Sequence, residues 1–392
     1  MTEYVRLGDV FELQMGKTPS RDILEYWNNG DNSWVSISDM SNYSKYVGKT
    51  KETISNLGVE KSGIKIVPPN TVIMSFKLSI GKTAITTDSI YTNEAIMAFI
   101  PKDKLLCHTD YLYYMLSGIN WDKGVNKAVK GNTLNKKTIS DYYVPLPPLE
   151  DQKRIAAALD TMSSVISRRK RQIELLDEAA KSLFVEMFGD PVENPMGWDV
   201  VELKKLSTKI GSGSTPKGGS QSYVESGISL IRSLNVYNNR FKIKDLAHIT
   251  PEQAKKLDNV TLQKNDVLIN ITGASVARSC IVPDVVLPAR VNQHVSIIRC
   301  IPSVLNPIYL NYFLTDGNYQ HILLSVGEDG GATREAITKS QLEALGISLP
   351  PIELQNLFAA RIEALEAERA SCERGLSEME MAFSAMMQEY FG

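Results

Sequence analysis

The sequence predicts an α+β protein made of two similar globular domains and two long helices. One observation is that residues 146–189 recur at 349–392, and the two copies align without a gap. Both copies also carry apolar residues at alternating spacings of three and four, the pattern of a coiled-coil helix. Each copy follows a region of short apolar segments separated by polar turns, which is typical of an α+β domain. An internal repeat of roughly 200 residues therefore organises the chain.

The repeat predicts four segments. A globular domain spans residues 1–149, a long helix 150–189, a linker with a second globular domain 190–351, and a second long helix 352–392. Leu-Pro-Pro precedes each helix, and proline is favoured in the first turn of a helix. A helix with one apolar seam needs a partner helix. Internal duplication favours an antiparallel, pseudo-two-fold pair within the chain, and a homodimeric coiled coil is the alternative.

The two globular domains repeat the same short motifs. A Gly-x-Thr-Pro turn ends an amphipathic segment at Gly16 and again at Gly213. The apolar segments within 70–76 and 265–271 predict buried strands, and a further strand is expected after Asn93 and after Asn292. These correspondences indicate that the duplication includes the globular parts as well as the helices.

Composition excludes some classes of protein. The chain has 392 residues and a formal net charge of −2, so any nucleic-acid site must depend on local surface charge. Its apolar runs are far shorter than the roughly 20 residues that cross a bilayer, and no signal-peptide pattern opens the sequence. The four cysteines and four histidines are dispersed, which favours neither a disulfide framework nor a zinc site. We expect a cytoplasmic protein with reduced thiols.

No catalytic motif is complete. The Gly-Lys-Thr triplets at 16–18 and 81–83 resemble the end of a phosphate-binding loop, but Phe11 and Phe76 stand where that loop needs its first glycine. The glycine-rich stretch 211–220 lacks dinucleotide-site spacing. A binding protein without cofactors or metals is therefore the preferred class. A bipolar coiled-coil adaptor that binds proteins, and an enzyme with an unrecognised site, are the alternatives.

The motifs together resemble the specificity subunits of type I restriction–modification systems. The residues that carry the resemblance are LPPLEDQKRIA at 146–156, the Phe-Gly-Asp-Pro join at 188–191, the Asn-Pro-x-Gly-Trp stretch at 194–198, and the paired Gly-x-Thr-Pro turns. The resemblance covers the whole chain. It implies two target recognition domains, 1–149 and 190–351, that read the halves of a split DNA site. Because the domains differ outside their shared motifs, we expect an asymmetric, bipartite site.

The resemblance also implies partners. The two long helices would form an antiparallel coil that spaces the recognition domains and docks two methyltransferase subunits, and restriction subunits would join that core. The specificity subunit itself would be non-catalytic. S-adenosylmethionine, ATP and Mg would then belong to the partner subunits.

Candidate DNA-binding residues are loop side chains that can donate to phosphates or base edges. In the first domain they are Lys17, Thr18, Arg21, Ser36, Ser38, Lys77, Lys82, Lys130, Asn132 and Lys136. In the second domain they are Lys217, Ser220, Arg232, Asn235, Arg278, Arg290 and Arg334. The alternative for each is a solvated surface side chain. Trp34 is predicted to be a core residue rather than a base-stacking platform.

Overall fold

The computed structural model describes residues 3–77, 79–103, 106–121, 134–328 and 336–392. The chain divides into two compact units. Unit 1 comprises Met1–Lys170 and Arg374–Gly392, and unit 2 comprises Arg171–Glu373. Each long helix therefore contributes one segment to each unit.

Unit 1 combines short helices with mainly antiparallel strands. Its helices are α1 (Leu7–Val10), α2 (Ile37–Met40), α3 (Asn56–Ser62), α4 (Thr109–Gly118) and α5 (Lys136–Ser140). Its strands are β1 (Glu3–Arg6), β2 (Phe11–Met15), β3 (Trp27–Val35), β4 (Glu52–Ile54), β5 (Val72–Ser75), β6 (Thr83–Ile85), β7 (Tyr91–Thr92), β8 (Ile96–Pro101) and β9 (Tyr143–Leu146). The long helix α6 (Leu149–Phe188) begins directly after the Leu-Pro-Pro motif. The predicted strand at 70–76 is β5, and it is buried along its whole length.

Unit 2 contains the corresponding elements. Its strands are β10 (Val200–Glu202), β11 (Ser207–Ser212), β12 (Ile228–Ile231), β13 (Val236–Tyr237), β14 (Arg240–Phe241), β15 (Ala247–Ile249), β16 (Val267–Asn270), β17 (Ser279–Ile281), β18 (Ala289–Val291), β19 (Val295–Cys300) and β20 (Gly346–Ser348). Its helices are α7 (Pro251–Lys255), α8 (Pro307–Thr315), α9 (Gly317–Glu328), α10 (Lys339–Glu343) and α11 (Ile352–Phe391). Here too the predicted strand, β16, is buried along its whole length.

The two units share one sheet topology. Among the described residues, the four-stranded sheet has the order β2-β8-β5-β6 in unit 1 and β11-β19-β16-β17 in unit 2. The three-stranded sheet repeats in the same way, as β4-β3-β7 and β15-β12-β18, each with one parallel pair. Each unit also has a two-stranded ribbon that joins its first strand to the strand before the long helix. The internal duplication predicted from the sequence is thus present at the level of strand order.

The helix segments run antiparallel within unit 2. Asp177 of α6 lies 3.2 Å from Arg369 of α11, whereas Met187, ten residues further on, contacts Arg361. In unit 1, Lys170 pairs with Glu380 at 2.8 Å. The predicted α+β class with two similar domains and two long helices is therefore confirmed.

The apolar surface of the helices is wider than a heptad seam. In α6 the buried residues near the end include Phe184 and Phe188, which pack on Tyr309 of α8 and on Phe358 of α11. The seam predicted from the 3–4 spacing passes through Leu183 and Met187 at this end of α6 and contains neither phenylalanine. These rings form a second apolar face because the helix end covers the core of unit 2 as well as its partner helix.

The described part of the chain contains no helix that is both long and apolar enough to cross a membrane. All four cysteines are buried.

Candidate nucleic-acid interface

The Gly-x-Thr-Pro turns are shaped by close backbone contacts. Gly16 donates its N–H to Ile96 at 3.1 Å, and a Cβ at this position would lie 2.0 Å from the carbonyl oxygen of Thr92. Gly213 donates to the carbonyl of Asn292 at 3.1 Å, and its Cβ would lie 1.9 Å from the carbonyl oxygen of Val291. Only glycine fits either turn without a backbone shift.

The threonine of each turn connects it to the loop before the next core strand. The Thr18 hydroxyl donates to the Glu94 carboxylate and accepts from the Asn93 amide at 3.0 Å. In unit 2 the Thr215 hydroxyl donates to the side-chain oxygen of Gln293. The sequence showed the two motifs separately, and the structure brings them together in both units.

Lys82 and Arg278 occupy the same place in the two units. The backbone N–H of Ser75 donates to Lys82 at 2.9 Å, and that of Asn270 donates to Arg278 at 2.8 Å. The residue before each cation has a positive φ, 84° at Gly81 and 66° at Ala277. The two cations are therefore structurally equivalent.

In unit 2 this region forms an open cleft of about 450 Å³, which we call the unit 2 cleft. Its walls come from the loop after β12, the loop between β16 and β17, and the turn before β19. The lining residues are Ser233, Leu234, Tyr237, Thr272, Gly273, Ala274, Ser275, Arg278 and His294. The cleft is therefore lined by several small and several polar residues, with one guanidinium on its wall.

Hydrogen bonds fix the side chains beneath the unit 2 cleft. The Gln293 oxygen accepts from Thr215, so its amide faces His294 Nε2 at 3.0 Å, and His294 Nδ1 lies 2.5 Å from the Thr272 hydroxyl. This arrangement assigns the imidazole proton to Nδ1. The buried Asn270 amide donates to the Ser233 carbonyl at 3.0 Å and so ties two of the loops together.

Several predicted residues of unit 1 are engaged at the surface. The Lys17 ammonium donates to the carbonyl of Ser62. Arg21 forms a two-point ion pair with Glu52, at 2.5 and 3.0 Å, and its guanidinium lies 3.6 Å from the ring centroid of Trp27. These contacts give both cations roles in holding loops.

The remaining described candidates of unit 1 lie in loops or at the start of a helix. Ser36 is the N-cap of α2, and Ser38 is exposed in that helix. Lys77 lies beside the Phe76 ring, and the Lys82 ammonium donates to the Ser41 hydroxyl at 2.8 Å. Lys136 is exposed at the first position of α5.

The candidates of unit 2 differ strongly in exposure. Lys217 and Ser220 are exposed, and Arg232 donates to the carbonyl of Asp245. Asn235 is completely buried and donates to the carbonyl of Lys242 at 2.9 Å. Arg290 is only 8% exposed and pairs with Asp258 at 2.8 Å. The last two side chains act as internal supports in this structure, a role that loop composition alone did not indicate.

Three candidates, Lys130, Asn132 and Arg334, lie outside the described residues. Trp34 is buried as predicted, and its indole N–H donates to the carbonyl of Lys17 at 3.1 Å. Its position beneath the Gly-x-Thr-Pro turn explains why an aromatic residue stands there. No group of residues suited to hold a metal ion occurs in the described part of the chain.

A pair of buried glutamines, which the sequence did not single out as functional, anchors each unit to a long helix. Gln152 donates to the carbonyls of Leu106 and Pro147 at 3.0 and 2.8 Å and accepts from the backbone N–H of His108 at 2.8 Å. His108 is the N-cap of α4. The first turn of α6 is thus bonded to the start of α4.

Gln355 repeats every one of these contacts in unit 2. It donates to the carbonyls of Val304 and Pro350 at 3.1 and 2.7 Å and accepts from the N–H of Asn306, the N-cap of α8, at 2.8 Å. The signal in the sequence was the identity of Gln152 and Gln355 between the repeated segments. We call this arrangement the glutamine clamp.

The fold and the paired loop junctions define a duplicated binding protein with two similar domains. The chain matches the family described as type I restriction modification DNA specificity domain twice, over residues 2–176 and 195–378, and it belongs to that family.

Curated relatives carry corresponding names. The type I restriction enzyme MjaIX specificity subunit of Methanocaldococcus jannaschii is 30% identical over 228 residues, which are 53% of this chain and 52% of that protein. The MjaVIII specificity subunit of the same organism is 24% identical over 390 residues, 93% of this chain and 86% of that protein. The match to the first relative thus spans about half of its length.

The fold has also been seen in a solved structure. The S subunit of a type I restriction–modification system from M. genitalium superposes with a TM-score of 0.60 at 12% identity. The match covers 100% of this chain and 96% of that chain. This likeness concerns the fold.

Proposed function

We propose that this chain is the DNA specificity subunit of a type I restriction–modification complex and that it reads a bipartite, asymmetric DNA site. The observation that carries the proposal is the double match to the DNA specificity domain family, once in each half of the chain. Each half carries the same junction between a Gly-x-Thr-Pro turn and the loop before β8 or β19. One chain would thereby carry two DNA-recognition domains of the same architecture.

Different side chains on the same framework support an asymmetric site. Lys82 of unit 1 corresponds to Arg278 of unit 2, and the backbone pairing of Phe76 with Ala95 corresponds to that of Ile271 with His294. The imidazole of His294 in unit 2 therefore corresponds to the methyl group of Ala95 in unit 1. Side chains with different donors and acceptors select different base edges, so the two half-sites should differ.

The surface residues suggest a division of tasks. Exposed cations such as Lys82 and Lys217 would contact phosphates, which supplies affinity without sequence information. Ser38, in α2 directly after β3, and Arg278, in the loop between β16 and β17, are the stronger candidates for base contacts. The buried Asn235 and Arg290 would hold these loops in place and not contact DNA.

The relatives are named as subunits, which supports a role within a larger assembly. We propose two methyltransferase subunits as partners, with restriction subunits added to that core, and action in the cytoplasm. This chain would be non-catalytic. S-adenosylmethionine, ATP and Mg would be bound by the partner subunits.

The test is co-expression of this chain with a type I methyltransferase subunit from the same genome, followed by single-molecule methylation sequencing of host DNA. We expect methylation at one split motif with two unlike halves, and none when either subunit is expressed alone. One continuous palindrome would contradict the bipartite reading. Methylation by this chain alone would contradict the non-catalytic role, and failure of the subunits to co-purify would favour an adaptor with other partners.

A further inference from the structure

Arg278 differs from the other arginines of the globular part of unit 2. Each of the others that the structure describes in residues 199–351 donates to an acceptor within the unit: Arg232 to Asp245, Arg240 to Asp177, Arg290 to Asp258 and Arg299 to Asp266. Among the described residues, no acceptor receives a hydrogen bond from the Arg278 guanidinium. A guanidinium carries five N–H donors, so Arg278 presents an unused set of donors at the wall of the unit 2 cleft.

The side chain is nevertheless held in place. Its guanidinium carbon lies 4.9 Å from the centroid of the Tyr237 ring, within the range of a cation–π contact. Tyr237 belongs to the hairpin of β13 and β14, which is paired through Val236 and Phe241. Because the ring already restricts the guanidinium, less conformational entropy is lost when a ligand binds to it.

The backbone around Arg278 is equally constrained. Ala277, directly before it, is 1% exposed and has a φ of 66°, a conformation that costs free energy for any residue with a Cβ. The Ala277 N–H donates to the carbonyl of Asn270 at 2.9 Å, and the carbonyl of Arg278 accepts from the Asn270 N–H. A strained, buried residue thus fixes the direction in which Arg278 leaves the loop.

The rest of the cleft suits an electron-rich partner. None of the described residues that line it is acidic, so no carboxylate competes for the guanidinium. Further donors come from the hydroxyls of Thr272 and Ser275, and both ring nitrogens of His294 are occupied by Thr272 and Gln293. Arg278 is therefore the one described side chain of the cleft that combines a full positive charge with free donors.

We propose that Arg278 reads a guanine of the half-site bound by unit 2, donating two hydrogen bonds to O6 and N7 on its major-groove edge. This inference rests on the proposed function. The planar, two-pronged guanidinium matches these two acceptors, and this pair is the commonest specific contact between proteins and DNA. In unit 1 the equivalent Lys82 has no such fork and donates to Ser41, so the two half-sites should differ at the corresponding position.

The test uses the complex of this chain with its methyltransferase subunits. Variants Arg278→Lys and Arg278→Ala are compared with wild type and with Lys255→Ala, which removes an exposed cation of α7 outside the cleft. Methylation sequencing gives the recognised motif. Binding to duplexes substituted at each base pair of the half-site, at low and high salt, gives the contribution of each position.

For Arg278→Lys we expect one guanine position of one half-site to lose its preference, with discrimination there falling about tenfold or more. Arg278→Ala should do the same, and the other half-site should stay unchanged in both variants. The salt dependence of binding should change little in Arg278→Lys because the charge remains. Lys255→Ala should behave as wild type.

Other outcomes would overturn the inference. Arg278→Ala could bind every sequence more weakly while the motif stays intact, and Arg278→Lys could restore that binding. This result would show that Arg278 contacts a phosphate instead. An unchanged motif in both variants would remove Arg278 from base reading while leaving the proposed function standing. A wild-type complex without any split motif would overturn the proposed function and this inference with it. Circular dichroism of both variants establishes that they are folded.

Discussion

At the scale of single residues, the glutamine clamp shows what a repeat can reveal and what it cannot. Gln152 and Gln355 are identical between the repeated segments, but a polar residue near a helix start is ordinarily expected at the surface. The structure buries both, at 1% and 0% exposure. Each amide satisfies three backbone groups, and two of them come from a loop distant in sequence. That distance is the reason the clamp could not be predicted from local pattern.

Removal of either clamp should destabilise its own unit. Gln152→Ala and Gln355→Ala each leave two carbonyls and one N–H without partners, at a cost of about 2–4 kcal/mol. Hydrogen exchange should quicken in α4 for the first variant and in α8 for the second. Gln221→Ala, at an exposed position, serves as the control and should change stability by less than about 0.5 kcal/mol. Equal effects of both variants on both helices would contradict separate clamps.

A second prediction for single residues concerns the glycines of the two Gly-x-Thr-Pro turns. Gly16→Ala and Gly213→Ala place a Cβ 2.0 and 1.9 Å from a backbone carbonyl oxygen, so the turn has to move. We expect a loss of about 1–3 kcal/mol, measured by denaturant unfolding.

Gly375 provides the matched control for these variants. It lies inside α11, where an added Cβ has no neighbour within 4 Å, so Gly375→Ala should stabilise the protein by about 0.5–1 kcal/mol. Stabilisation by Gly16→Ala as well would show that the turn is not tightly packed.

At the scale of elements, Lys45 connects a loop of unit 1 to α4 and α6. Its ammonium lies 2.6 Å from Asp110 and 2.5 Å from Asp160, and the Tyr114 hydroxyl donates to the same Asp160 oxygen at 2.7 Å. Burial acts to lower the pKa of Lys45, but the hydrogen bonds and charges of the two carboxylates outweigh burial. The pKa is therefore raised above its ordinary value of 10.5.

This shift predicts the alkaline behaviour of unit 1. Since the pKa of Lys45 is higher in the folded state, its stabilisation is complete below about pH 10.5 and is lost as pH rises through the folded value. Lys45→Met should therefore be less stable than wild type at pH 8, and the difference should shrink above pH 10.5. Tyrosines remote from Lys45 titrate alike in both proteins and cancel in this difference, whereas Lys45 itself acts to lower the pKa of Tyr113.

The measurement is the free energy of unfolding from denaturant titrations at several pH values. Lys49→Met removes a nearby exposed cation and should show no pH-dependent difference. A difference for Lys45→Met that stays constant up to pH 12 would contradict the assigned role of the ion pairs.

Sequence patterns predicted the elements more reliably than the side-chain roles within them. The buried strands β5 and β16 and both long helices follow from apolar period and turn residues. Asn235 and Arg290 were chosen for their chemistry in predicted loops, but both are buried and bonded inside unit 2. Whether a polar loop residue faces water or supports a neighbouring loop depends on tertiary contacts that local composition does not contain.

At the scale of the whole molecule, each compact unit is assembled from distant parts of the chain. Unit 1 includes Arg374–Gly392, and its hydrophobic core is covered by apolar residues from the end of α11. These residues are Phe383, Met386, Met387, Tyr390 and Phe391. The ring of Phe391 lies 5.4 Å from that of Tyr111, in the core of the unit. The heptad pattern predicted a pair of helices, but not that a helix end would complete the core of a domain more than 200 residues away in sequence.

This arrangement predicts the result of shortening α11. A chain that stops at Glu373 keeps all of unit 2 but uncovers the apolar surface beneath the last turns of the helix, so unit 1 should lose stability first. We expect faster hydrogen exchange in α4 with little change in α8, and increased binding of a hydrophobic dye. Phe391→Ala, a smaller version of the same change, should weaken unit 1 by about 3 kcal/mol. The mirror variant Phe188→Ala removes a ring packed on Tyr309 and Phe358 and should weaken unit 2 instead. If the shortened chain left exchange in α4 as slow as in wild type, the end of α11 would have no part in holding unit 1 together.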